Sequence, residues 1–146
     1  MAGQYAALGA DVEFVVGGYM QSEGGTWEAE NSPLKSPFGV DFDSRGNMYV
    51  VELSGGRVHR VTAGGQISRI AGDGSKSYAG DGGAGIDATF NGMHNGVVTN
   101  DDQLLIADSW NHCVRKINLA SGKIETMIGT GSAGFGGDGG PARDAT

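Results

Sequence analysis

The residues able to bind metal or move protons are few: three histidines, one cysteine and seventeen carboxylates. His94 is the most informative. It stands in Gly92-Met93-His94-Asn95-Gly96, just before a branched, extended stretch. An imidazole beside an amide at such a place can hold a ligand, and His94 is the one weak metal candidate. A zinc site takes roughly three or four ligands, so the others would have to come from elsewhere. The commoner fate of such a histidine is a satisfied or solvent-facing ring. His59 and His112 read as hairpin and surface residues. Cys113 has no base at useful spacing and no nucleophilic role is expected of it.

Two glycine motifs invite stronger readings and do not support them. Gly129-Thr130-Gly131-Ser132-Ala133-Gly134 matches the dinucleotide fingerprint. That fingerprint needs a helix opening at its last glycine, so that helical amides meet the pyrophosphate. Phe-Gly-Gly-Asp-Gly-Gly follows instead and cannot open a helix. The Gly-Asp-Gly-Gly runs at 80–83 and 137–140 suggest calcium. Calcium wants about six to eight oxygens. The first loop supplies Asp73, Asp81 and Asp87, and the second Asp138 and Asp144. Their spacing fits neither an EF-hand nor the calcium nonapeptide. Glycines at positive φ, with aspartates bonding nearby amides, account for both loops.

The elements that position these residues come from a repeat. Residues 67–89 and 124–146 agree at 11 of 23 positions at an offset of 57. The match extends upstream: 50–61 aligns with 106–117 at offset 56, and 38–52 aligns with 95–108 with one residue fewer. Each unit predicts four strands: 38–42, 48–52, 57–61 and 66–71, then 95–99, 103–107, 113–118 and 123–128. Polar or glycine-rich turns separate them, and a long Gly/Asp-rich loop closes each unit. No segment has a helical period. Four successive strands with short turns make an antiparallel meander, and meanders repeated at this period suggest propeller blades. Residues 1–35 are expected to hold the tail of a preceding unit, traced in Val12–Gly18, and a connection. Residues 36–89 and 90–146 are the two full units, the second ending within its connection.

Composition agrees. Gly is 28 of 146 residues against a usual ~7%. Val and Ile number 18 against 6 Leu, which favours pleated sheet. One cysteine excludes an internal disulfide. No apolar run approaches the ~18 residues of a membrane-spanning helix, and no signal peptide is visible. A net charge of −7 disfavours nucleic acid, whose backbone is bound through Lys and Arg. Glu52 and Asp108 end equivalent second strands. Paired carboxylates can do acid–base work, but these lie a blade apart, and each can cap its own turn.

The residues GVDFDSRGNMYVVE…GGRVHRV and LLIADSWNHCVRKI, each followed by a fourth strand and a GDGG loop, resemble NHL repeats. Asn111-His112 before Val114-Arg115-Lys116-Ile117 gives that family its character; the first unit has Gly55-Gly56 in their place. The resemblance implies an all-β fold of four-stranded blades from a propeller, usually six-bladed. It also implies a piece of a longer propeller, or copies assembling into a ring.

Such a propeller is expected to be a recognition scaffold. His94, Asn95, Trp110 and Asp108 would form a channel mouth and loop face binding a protein, peptide or glycan. Neighbouring blades would be the other partners, and no cofactor is expected. The alternative is part of a metal-assisted lyase or lactone hydrolase, because enzymes of related repeats place metal-binding histidines around the channel. A divalent metal would then sit in the complete ring. Pro37, not histidine, occupies the place of His94 in the first unit, which favours binding. The compartment stays open; bacterial relatives of the pattern are often exported.

Overall fold

A computed structural model describes residues 27–28 and 33–146. Nine strands lie in chain order: β1 (Trp27–Glu28), β2 (Pro37–Phe42), β3 (Met48–Glu52), β4 (Val58–Val61), β5 (Gln66–Ala71), β6 (Met93–Val98), β7 (Gln103–Asp108), β8 (Cys113–Asn118) and β9 (Ile124–Ile128). They form two antiparallel sheets, ordered β1-β5-β4-β3-β2 and β6-β7-β8-β9. The two meanders expected from the repeat are both present, with bounds within two residues of the predicted ones. The chain is all-β and its sheets are blades of the β-propeller kind. The proposed Val12–Gly18 trace lies outside the described residues.

The turns explain why four strands follow so closely. After β2, the Asp43 carboxylate accepts hydrogen bonds from the amides of Arg45 and Asn47, the Asn47 side chain and the Tyr49 hydroxyl. Burial pushes this carboxyl up, but those donors outweigh it and hold the pKa below the ordinary value. After β8, Asn118 Oδ1 accepts the amides of Ala120 and Ser121. Each side chain closes a turn locally and so fixes the register of its hairpin.

The joint between the sheets is the core. Tyr49, Val51, Val58 and Ala71 of the first sheet pack on Leu104, Ile106, Ile117 and Ile124 of the second, with Ala88, Phe90 and Met93 between them. Alternation along each strand puts these residues on facing sides. The first strands of the two units, β2 and β6, run beside one another. A Cβ on Gly39 would lie 2.9 Å from Asn95 Oδ1 and 3.0 Å from Val51 Cγ2, so glycine sets their closeness. Asp41 Oδ2 accepts the Val98 amide at 2.7 Å across the same gap.

The structure adds one element that the repeat did not predict. β1, from the connection before the first unit, pairs with the outer strand β5. The connection before the second unit does likewise: the Gly82 amide donates to Ile124 O, and the Ile124 amide donates to Gly83 O. A two-residue strand is too short to show alternation in sequence.

Candidate functional site

The site grows from the turn between β7 and β8. Asp108 ends β7 and is fully buried. Its Oδ1 accepts the Asn91 amide at 2.7 Å and its Oδ2 accepts Asn111 Nδ2 at 2.9 Å. Arg115 Nη1 lies 3.6 Å from Oδ2. Burial raises the Asp108 pKa despite these donors and the arginine charge. Asp108 is therefore buried within its own turn, which is the cap reading of this carboxylate, and does not stand on the binding surface where the alternative reading put it. Desolvation needed internal partners, and the carboxylate holds the turn. Ser109–Asn111 form a single 3₁₀ turn, and His112 leaves it with φ 51°. The exposed ring of His112 agrees with its surface reading.

That turn presents Trp110, half exposed at 50%. Its indole lies on Gly92: a Cβ there would stand 2.3 Å from Trp110 Cδ2. Gly92 also has φ +67°, so both space and backbone favour glycine. The carbonyl of Gly92 holds His94 through Nδ1 at 2.9 Å. A carbonyl only accepts, so Nδ1 carries the proton and Nε2 is left for another partner. The His94 ring meets Trp110 edge-on at 6.2 Å and Phe38 edge-on at 5.4 Å. Phe38 is 60% exposed. Lys76 Nζ stands 5.7 Å from the Trp110 ring centroid. Asn95 is exposed on β6, its Oδ1 accepting the amide of Gly96.

Of the four expected residues, His94 and Trp110 meet, Asn95 is exposed on β6 next to Gly39, and Asp108 is buried beneath the turn. Phe38 and Lys76 were not foreseen. In the strand register Phe38, and not Pro37, takes the place of His94: Phe38 lies between Pro37, opposite Glu52, and Gly39, opposite Val51, as His94 lies between Met93, opposite Asp108, and Asn95, opposite Ala107. Aligning the first strands with one residue fewer in the second unit hid this equivalence, because both hairpins keep the same offset of 56. Nothing in the sequence signals Lys76, which comes over from the Gly/Asp-rich loop.

The first unit has a different interior. Glu52 takes the place of Asp108 and His59 that of Arg115. Glu52 Oε1 accepts the Lys35 amide at 2.7 Å, and His59 Nε2 is 3.4 Å from the same oxygen. His59 is largely buried, with 13% of its side chain exposed, which corrects its reading as a surface residue. A period-2 strand alone does not tell which face is covered. Burial first, then the Asp108 charge, pushes the Cys113 thiol up to about 11, in keeping with an unreactive cysteine.

Among the described residues, no group of three or more His, Cys, Asp or Glu side chains is placed to hold a metal ion. His94 does not gather the set that a metal centre would need.

The Gly/Asp-rich loops behave as expected for backbone but not for every aspartate. Gly72, Gly74, Gly80 and Gly82 all have positive φ. Asp73 Oδ1 accepts the Ser75 amide. Asp81, however, takes no nearby amide and instead receives Arg115 Nη2 at 2.8 Å.

The sequence profile of the NHL repeat matches residues 95–117. This segment is an NHL repeat. It runs from β6 through the Asp108 turn to Ile117 and contains Trp110 and Arg115. A search of curated proteins finds no match. Among solved structures, the chain is similar to a protein of unknown function from Bacteroides thetaiotaomicron VPI-5482, with 25% identity over 71% of this chain and 26% of that one, at a TM-score of 0.61. It also overlaps a streptogramin B lyase at 19% identity and a TM-score of 0.48, over 64% of this chain and 28% of that one. Virginiamycin B lyase from Staphylococcus aureus overlaps at 20% identity and a TM-score of 0.44, over 62% and 26%. The last two overlaps are too loose to carry an argument about activity. The chain spans about a quarter of the length of each of these structures.

Proposed function

We propose that this chain belongs to an NHL-type propeller scaffold that binds a protein, peptide or glycan through the surface bearing Phe38, His94 and Trp110. The observation that carries the reading is the exposed aromatic group. Two large rings stand open to solvent beside an imidazole with a free nitrogen and a lysine. Aromatic faces accept sugar C–H groups or apolar peptide side chains, and the polar atoms at their rim orient what binds. The rings are held by β2, β6 and the Asp108 turn, so little ordering is needed on binding. Asn95 supports the reading as an exposed amide on the same strand. The alternative, a metal-assisted lyase or lactone hydrolase, draws only on His94 Nε2.

The test is a fluorescence and calorimetric titration of the chain with a panel of oligosaccharides and short peptides. The reading expects a saturable response that Trp110→Ala and His94→Ala each weaken about tenfold, with melting temperature nearly unchanged. Binding untouched by both substitutions would contradict it.

A further inference from the structure

The charges around the aromatic group are arranged in a way that selects among ligands. Five segments meet at that end of the sheets: 33–38, 52–57, 72–77, 91–94 and 108–112. The Leu53 amide donates to Ser36 O, the Trp110 amide to Asn91 O, and Asn111 Nδ2 to Ser77 O. Gly72 and Gly74 lie so close to Gly56 and Arg57 that a Cβ on either would collide. The cations of these segments are Lys35, Arg57 and Lys76, and the carboxylates are Glu52, Asp73 and Asp108.

The carboxylates are all engaged. Glu52 and Asp108 are buried. Glu52 Oε1 accepts the Lys35 amide, and Arg57 Nη1 lies 3.7 Å from Oε2. Asp108 is held by Asn91, Asn111 and Arg115. Asp73 Oδ1 accepts both the amide and the hydroxyl of Ser75 at 2.7 Å. The lysines are different. Lys35 and Lys76 are exposed, and among the described residues no carboxylate pairs with either ammonium. In a protein of net charge −7, the end that carries the rings therefore shows solvent its cations and keeps its anions occupied.

Two of these polar groups stand at the rings themselves. Lys76 Nζ is 5.7 Å from the Trp110 ring centroid, within reach of an anion on any group that rests against the indole. His94 Nδ1 donates to Gly92 O, so its Nε2 is an acceptor, which suits a hydroxyl. A ligand matched to this surface has a flat apolar face for a ring, a hydroxyl and a negative charge. A sugar acid has all three on one pyranose. A peptide side chain matches less well, because such anchors gain most in packed, desolvated pockets, whereas Phe38 and Trp110 are 60% and 50% exposed.

We propose, on the reading of the aromatic surface as a binding site, that its ligand is an acidic glycan whose sugars carry a carboxylate, as uronic acids do. One sugar lays its C–H face on Trp110. Its carboxylate meets Lys76 Nζ, a hydroxyl donates to His94 Nε2, and Phe38 takes a neighbouring sugar of the same glycan.

The test is calorimetric titration of the chain with oligosaccharides of galacturonate, mannuronate and hyaluronan, each beside its methyl ester. At least one acid form is expected to bind saturably, and its ester about tenfold more weakly, because a charge-assisted hydrogen bond is lost. Lys76→Ala should weaken the acid form about tenfold and leave the ester unchanged, while Trp110→Ala weakens both. Raising salt from about 0.1 M to about 1 M should weaken the acid form alone. Acid and ester that bind alike, both through Trp110, would overturn the acidic ligand and leave the binding surface standing. So would an acid form whose affinity is unchanged in Lys76→Ala. An acidic peptide or a single-stranded oligonucleotide that binds through Trp110 when no uronate does would overturn the sugar class. If no probe of any class responds to Trp110→Ala, the surface itself fails, and the acidic ligand with it.

Discussion

Arg115 shows how much a single buried charge can hold. It faces Asp108 on one side and Asp81 with two loop carbonyls on the other. Removing it leaves Asp108 buried without its cation, a change that costs about 3–5 kcal/mol. Arg115→Ala is expected to lower the urea midpoint accordingly, whereas Lys116→Ala, whose exposed pair with Glu125 is screened by water, should change it little. Equal effects would contradict this assignment. A second expectation concerns alkaline pH. Burial raises Cys113 from 9.0 to about 11, and burial with the Asp43 carboxylate raises Tyr49 from 10.0 to about 12. The unfolded chain gives up these protons first, so stability present at neutral pH is lost as pH rises from about 9 towards 12. Urea midpoints at pH 8 and pH 10.5 check the sign, and Cys113→Ala should flatten the fall. At this scale the sequence was only partly legible. His94 and Trp110 stood out by type and context. Asp108 read as a surface ligand because a carboxylate beside a turn looks the same whether it faces water or an arginine seven residues on.

The strands were legible because alternating branched residues and turn chemistry agree in both units. The inner strands β2 and β6 and their turns fall where the pattern puts them. What escaped were elements too short to have a period: β1, with two residues, and the single 3₁₀ turns at Gly85–Asp87, Ser109–Asn111 and Ala142–Asp144. The Ser109–Asn111 turn matters most, because it aims Trp110 across Gly92. Gly92→Ala tests that link. The added carbon would collide with the indole, and φ +67° disfavours any side chain. The variant is expected to displace Trp110, shift its fluorescence and weaken ligand binding more than it lowers melting temperature. An unmoved indole emission would show that the turn, and not Gly92, sets the ring.

Taken whole, the described residues form two blades sharing one core, with a joint sealed by an arginine and an aromatic group at the inner-strand end. Rigid sheets hold the rings, and loops supply Lys76; this division of labour suits recognition. The repeat made the blades readable, while the aromatic group was hidden because Phe38 comes from the first unit and reaches His94, the neighbour of Trp110 in the second, only when the sheets pack. The most direct measurement of the central claim is a nuclear magnetic resonance titration of the chain with the ligands that bind it. The account predicts saturable shifts of the Trp110 indole N–H, the His94 ring and the Phe38 ring, all lost in Trp110→Ala. Shifts confined to the outer strands β5 and β9, with those three rings unmoved, would contradict it.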